Sequence, residues 1–208
     1  MSAQTLVKIC GVRDRATAEV AADAGAHFVG VVLVRGSPRF VDPSVAGDLA
    51  LAIADAGAMP VAVLRLPLDV ETKKVLEAFP ILQFHGIEEP ADLERFAGGA
   101  AAWEVWKGLH FSVEAVDAWM GAPHVSRLVV DGPEAGSGVA FDHAALGALP
   151  DAVRRRTLLA GGLDPSNVAQ AVRAARPAGV DVSSGVERAR GVKDHARIRA
   201  FIDAVRGA

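Results

Sequence analysis

The chain contains a single cysteine, Cys10, among 208 residues. One thiol cannot build an internal disulfide framework, and the scarcity fits a reducing compartment. Positive charge is also short: 22 Lys and Arg stand against 25 Asp and Glu, a formal net charge of −3. That balance argues against a general nucleic-acid binder, which needs a basic surface to displace counterions. No uninterrupted apolar run is long enough to span a bilayer, so no membrane partner is expected. The start, Met1-Ser2-Ala3-Gln4-Thr5, lacks the charged and apolar regions of a secretory signal. A cytoplasmic protein is the expectation. No Cys or His pair sits at ligand spacing, so no metal is expected. No G-x-G-x-x-G follows the first apolar run, which weakens a dinucleotide site.

What is present is a core. The hydrophobic fraction is 51% and the mean hydropathy +0.27. Eight apolar, β-branched runs recur along the chain: Leu6 to Cys10, Phe28 to Val34, Val61 to Leu66, Ile81 to His85, Ala102 to Lys107, Arg127 to Asp131, Thr157 to Ala160 and Val180 to Ser183. Most are continuous rather than alternating, as strands buried on both faces require. Ala-rich segments with helical spacing separate them: Thr17 to Ala24, Val45 to Ala56, Val70 to Ala78, Pro90 to Ala97, Val113 to Met120, Asp142 to Leu149, Pro165 to Ala175 and His195 to Val205. Pro43 suits a first helical turn, and Asp164-Pro165 reads as an N-cap followed by proline at the first helical position. Such alternation calls for parallel strands joined by right-handed crossovers. Eight units predict an α/β chain closed as a (β/α)8 barrel, the TIM barrel, over an open doubly wound sheet of about six strands. No linker is visible, so residues 1–208 are expected to form one domain.

Function in such a barrel collects where strands run into the following helices. Cys10 ends the first strand, and is either a base or nucleophile at the mouth or a small buried hydrophobe. Arg39 lies in the turn Arg35-Gly36-Ser37-Pro38-Arg39, stiffened by Pro38. Its guanidinium fork suits a planar carboxylate; an ordinary surface arginine is the other reading. His85 ends the fourth strand as a proton donor, a substrate hydrogen bonder or a core histidine satisfied by backbone. Asp131 follows Leu128-Val129-Val130, where a carboxylate is costly to bury unless paired or employed. The segment Gly132 to Gly138 after it is glycine-rich and suited to closing over a ligand. Gly161-Gly162 and Ser184-Gly185 follow the last two strands. Small residues in those two loops let backbone N–H groups approach a phosphate.

Taken together, several stretches resemble the phosphoribosylanthranilate isomerase family. They are Lys8-Ile9-Cys10-Gly11, Ser37-Pro38-Arg39-Phe40-Val41, Gln83-Phe84-His85-Gly86, Leu159-Ala160-Gly161-Gly162-Leu163, Asn167-Val168, Asp181-Val182-Ser183-Ser184-Gly185-Val186-Glu187 and Gly191-Val192-Lys193-Asp194. The resemblance implies an Amadori rearrangement of N-(5-phosphoribosyl)anthranilate within tryptophan biosynthesis. It implies Asp131 as general acid on the ring oxygen and Cys10 as general base at the sugar C2. Arg39 is then expected on the anthranilate carboxylate, with His85 also at the substrate. Gly161, Gly162, Ser184 and Gly185 are expected around the phosphate. No metal or organic cofactor is implied, and members of the family occur as monomers and homodimers.

Three stretches depart from the family pattern: Val63-Leu64-Arg65-Leu66-Pro67 at the end of the strand-three segment, Ala135 to Ala140 in the loop after Asp131, and His143 in place of a common tryptophan. The departures bear on the lid and the rate more than on the reaction. An aldose–ketose isomerase of histidine biosynthesis would use two aspartates, and Cys10 stands where the first would be. A non-catalytic phosphate-binding barrel is the remaining reading.

Overall fold

The computed structural model describes residues 4–86, 89–97, 103–132 and 143–208. Eight strands pair in parallel, each with the next: β1 (Leu6–Cys10), β2 (Phe28–Val32), β3 (Met59–Leu64), β4 (Ile81–His85), β5 (Glu104–His110), β6 (Val125–Asp131), β7 (Thr157–Leu159) and β8 (Gly179–Val182). The last strand closes on the first, with Leu6 opposite Gly179 and Lys8 opposite Asp181. The closed (β/α)8 barrel expected from the strand count is therefore observed.

Helices α1 (Arg15–Ala24), α2 (Pro43–Asp55), α3 (Val70–Val75), α4 (Pro90–Ala97), α5 (Val113–Met120), α6 (His143–Gly147), α7 (Asp151–Arg154), α8 (Val168–Ala175) and α9 (His195–Arg206) lie between and after the strands. Their starts follow from side-chain caps. Asp14, Asp69 and Ser112 each accept a hydrogen bond from the backbone N–H three residues on, and Asp194 accepts two, from Ala196 and Arg197. These satisfy donors that the first helical turn leaves open. Pro43 occupies the first turn of α2 as expected.

Several ends differ from the sequence reading. The fifth strand begins at Glu104 and runs to His110, three residues beyond Lys107, while Ala102 lies outside the described residues. The eighth helix begins at Val168 rather than Pro165, because the Asp164 carboxylate closes a tight turn by accepting from Ser166 N at 2.7 Å and Asn167 N at 3.2 Å. After β8 the chain adds a short antiparallel hairpin that the periodicity does not announce, β9 (Glu187–Ala189) with β10 (Val192–Lys193).

The register divides side chains between two cores. Val7, Ile9, Val29, Val31, Leu128 and Val130 face the helices in one large cluster. Inside the barrel, Phe28, Val61, Ile81, Trp106, Val129 and Leu158 form a separate apolar plug. Barrel interiors fill in layers contributed by alternate strands. Following the pairings around the closed sheet places Lys8, Val61, Trp106 and Leu158 at one level. Above them come Gly30, Gln83, Val129 and Asp181, and then Cys10, Val63, Gly108 and Ala160. Val32, His85, Asp131 and Ser183 stand at the top, at the ends where the strands run into their loops. The contacts of Gly30 agree with this order: a Cβ added there would lie 3.0 Å from Cys10 Sγ and 3.2 Å from Lys8 Nζ. Gly108 and Ala160 add little side chain at the Cys10 level, and the His85 ring takes the space over Gly108, where an added Cβ would lie 2.6 Å from Nδ1.

Candidate active site

Polar groups join the apolar plug from the Lys8 level upward, Lys8 first and Gln83 and Asp181 above it. Lys8 is fully buried, and its Nζ donates to Asp181 Oδ1 at 2.9 Å across the β1–β8 seam. Burial works against the ammonium, but Asp181 and Cys10 outweigh it and hold Lys8 above its ordinary pKa. Cys10 is buried in turn. Burial pushes its thiol up; Lys8 pulls it down, Asp181 pushes it up again, and Lys193 pulls it down, leaving a net rise. Its backbone carbonyl accepts from Ser183 Oγ at 3.1 Å, which ties the end of β1 to the loop after β8.

Asp131 ends β6 one level above Cys10. Its Oδ1 accepts from Gly132 N at 2.8 Å. Gly161, at φ +85°, lies directly against the carboxylate, where an added Cβ would collide with Oδ1. Next to Asp131 in the sheet is His110, whose Nδ1 lies 2.8 Å from the Gly132 carbonyl. The His110 ring meets His85 edge-on, with centroids 6.1 Å apart. His85 stands at the rim and is held below its ordinary pKa. Its crowded surroundings are the main cause and Lys107 adds to the effect, while Asp131 opposes it.

Arg39 reaches the mouth but is already engaged. Its Nε and Nη2 donate to the two oxygens of Glu187 at 2.7 and 3.0 Å, a bidentate pair. Lys193 Nζ donates to the same carboxylate at 2.9 Å and to the Ser183 carbonyl at 2.9 Å, and Gly191 N donates to Glu187 at 3.0 Å. Burial alone would raise the Glu187 pKa, but the hydrogen bonds from Arg39, Lys193 and Gly191 bring it down to about 2. The fork that the sequence reading offers to a carboxylate ligand is thus occupied on two donors by a carboxylate of the chain itself.

The loops after β7 and β8 lie side by side. Gly185, in the 3-10 turn Ser184–Val186, sits against Leu163, where an added Cβ would collide with the carbonyl oxygen. Asn167 Nδ2 donates to the Gly162 carbonyl at 2.9 Å and its Oδ1 accepts from Asp164 N, fixing the first of the two loops. Gly161 and Gly162 both have positive φ, +85° and +64°, which glycine adopts without a Cβ penalty. A cleft of about 660 Å³ opens nearby, lined by Arg13, Thr17, Arg188, Lys193 and His195 among others. It lies between the β1–α1 loop and the β9–β10 hairpin, and neither Cys10 nor Asp131 lines it. The mouth of the barrel is the better candidate because the Cys10 thiol and the Asp131 carboxylate stand there at adjacent levels, at the ends of the strands.

A family described as N-(5'phosphoribosyl)anthranilate (PRA) isomerase matches residues 7–204. The chain belongs to the phosphoribosylanthranilate isomerase family. An N-(5'-phosphoribosyl)anthranilate isomerase of Bordetella petrii is 39% identical, over 99% of this chain and 96% of its own length. The crystal structure of a phosphoribosyl anthranilate isomerase from Thermus thermophilus is 34% identical with a TM-score of 0.77, covering 96% of this chain and 98% of that one. Another phosphoribosyl anthranilate isomerase, solved in complex with reduced 1-(o-carboxyphenylamino)-1-deoxyribulose 5-phosphate, has a TM-score of 0.79 at 29% identity. It covers 99% of this chain and 100% of its own.

Within this phosphoribosylanthranilate isomerase fold, the structure brings Cys10, Asp131, His85 and Gly161 together around the mouth. Gly162, Ser184 and Gly185 lie on the adjoining β7 and β8 loops, and Arg39 at the rim above Gly11. The glycine-rich segment after Asp131 lies outside the described residues from Pro133 to Asp142. Reading strand ends alone passes over Lys8, Asp181, Glu187, Lys193 and His110. Lys8 and Asp181 carried a visible signal: each is a single charge inside an otherwise apolar strand. His110 was missed because the fifth strand was ended too early.

Proposed function

We propose that the chain is a phosphoribosylanthranilate isomerase that works in tryptophan biosynthesis, converting N-(5-phosphoribosyl)anthranilate to 1-(2-carboxyphenylamino)-1-deoxyribulose 5-phosphate. The observation that carries the reading is a buried thiol and a carboxylate at adjacent levels of one barrel mouth, in a chain whose family match runs from residue 7 to residue 204. Residues 1–208 act as one catalytic domain on a small phosphorylated substrate, as a monomer or a homodimer. No helix among the described residues is long and apolar enough to cross a membrane, and the substrate class fits a cytoplasmic enzyme.

The chemistry needs an acid and a base that are distinct and placed apart. Asp131 gives a proton to the furanose ring oxygen, and the C1 bond to that oxygen breaks as the anthranilate nitrogen lone pair forms a Schiff base at C1. Cys10, as thiolate, removes the proton from C2. The C2–H electron pair becomes the C1–C2 double bond, and the iminium electrons return to nitrogen. The enolamine then loses its hydroxyl proton and gains one at C1, leaving the C2 ketone. Lys8 and Lys193 favour the thiolate that this step requires. Gly161, Gly162, Ser184 and Gly185 hold the phosphate through backbone amides. Arg39, with one edge held by Glu187, keeps its remaining Nη1 edge for the anthranilate carboxylate, and His85 hydrogen-bonds the substrate beside Asp131.

Cys10→Ala and Asp131→Ala are each expected to lower kcat by about 10²–10⁴-fold, with the melting temperature retained. Full turnover in either variant would remove that residue from its role. Failure of the wild-type gene to support growth of a tryptophan auxotroph lacking the isomerase would sink the activity itself.

A further inference from the structure

His110 makes a contact that the proposed acid–base chemistry does not use. It closes β5 directly opposite Asp131 of β6. Its Nδ1 lies 2.8 Å from the Gly132 carbonyl oxygen. A carbonyl oxygen only accepts, so Nδ1 carries the proton of that bond. The ring also packs edge-on against His85, with centroids 6.1 Å apart. The end of β5 thus grips two successive peptides after the apolar part of β6: Phe111 N donates to the Asp131 carbonyl at 3.0 Å, and His110 donates to the Gly132 carbonyl. Gly132 in turn serves the proposed acid, its N–H reaching Asp131 Oδ1 at 2.8 Å. Gly161 closes on the same place, where an added Cβ would collide with Gly132 N. Gly132 has no side chain of its own, and a glycine backbone turns more freely than any other. Its orientation is therefore set by these neighbours, with His110 holding its carbonyl.

We propose that His110 is a positioning residue for Asp131, fixing Gly132 so that its amide holds Oδ1 and leaves Oδ2 to carry the proton that is transferred. The inference rests on the isomerase reading of the same site, with Asp131 as the acid. An oxygen that already accepts an N–H is the poorer seat for a proton, so the amide selects which oxygen of the acid is protonated. If Gly132 turned, Oδ1 would be released and the carboxyl group could rotate. A general acid must stand within hydrogen-bond reach of the atom it protonates, and a displacement of about 1 Å is enough to cost on the order of 100-fold in rate. In this role His110 touches neither the substrate nor the reacting atoms. Its Nδ1 proton is spent on the carbonyl.

The test compares wild type with His110→Asn, His110→Gln and His110→Leu. Asn places an N–H donor where Nδ1 stands, Gln carries its donor one bond farther out, and Leu has none. Measured are kcat and KM for N-(5-phosphoribosyl)anthranilate and affinity for the reduced product analogue. The proposal expects kcat to fall roughly 10- to 100-fold in the Gln and Leu variants, with KM and analogue affinity within about twofold of wild type. His110→Asn should recover most of that loss. In an Asp131→Asn background His110→Leu should cost nothing further, because the group it positions is gone. Wild-type kcat in His110→Leu would overturn the proposal. So would a loss that His110→Asn fails to recover, which marks a proton carried through the ring. A raised KM with kcat intact, which marks a substrate contact, or an additive loss in the Asp131→Asn background would overturn it too. Should His110→Leu fail to fold, His110→Gln, which stays polar, decides the same comparisons. If wild type does not turn over the substrate, the isomerase reading has failed instead.

Discussion

Cys10 is held between opposing influences, and their balance sets its resting state. Burial raises its pKa, two lysines lower it and Asp181 raises it, with a net rise. In the free protein near neutral pH the thiol therefore keeps its proton, and the base is its minor ionised fraction. Alkylation by iodoacetamide reads this directly, because only the thiolate reacts and Cys10 is the sole cysteine. The rate should rise with pH and reach half its limit above about 8.5, the ordinary thiol value. An inflection at or below that value would show that Lys8 and Lys193 dominate burial. The position of Cys10 and Asp131 was legible in the sequence because each interrupts an apolar run at its end. The engagement of Arg39 was hidden, because Glu187 lies 148 residues away.

At the scale of elements, the two loops after β7 and β8 form one unit through small residues. Gly161 and Gly162 look alike in sequence, yet their surroundings differ. An added Cβ at Gly161 meets Asp131 and Gly132, while at Gly162 nothing lies within 4 Å. Both substitutions to alanine carry the backbone penalty of positive φ, about 1 kcal/mol. Only Gly161→Ala also displaces the proposed acid. Its kcat should therefore fall at least tenfold further than that of Gly162→Ala, and steady-state kinetics of the two variants decide it. Equal kcat values would mean that Asp131 does not depend on this contact. Most of the element order was readable, because continuous apolar runs and helical spacing are periodic signals. The ends were less so. Asp164 reads as a cap but uses its carboxylate for a turn, delaying the helix to Val168. The β9–β10 hairpin is too short for any period to show.

For the whole molecule, the decisive event is closure of the barrel, which pairs the first strand with the last. The β1–β8 register brings Lys8 to Asp181 across 173 positions of chain. Both are buried, and each makes the other tolerable in a low-dielectric interior. A buried pair of this kind adds little over apolar residues of like size, but removing one partner strands a charge at a cost of about 3–5 kcal/mol. Lys8→Met should therefore lower the unfolding free energy by about 3 kcal/mol or more. Asp181→Leu should behave in the same way. The double variant, Lys8→Met with Asp181→Leu, should recover most of that loss, because no charge is left unpaired at the seam. Denaturant unfolding of the four proteins supplies the cycle. Additive losses would mean that the two groups act independently and that packing alone closes the barrel. The same double variant should remain slow as an enzyme however stable it is, since the cation beside Cys10 is gone. Recovered stability without recovered turnover would separate what the pair does for closure from what Lys8 does for the thiolate.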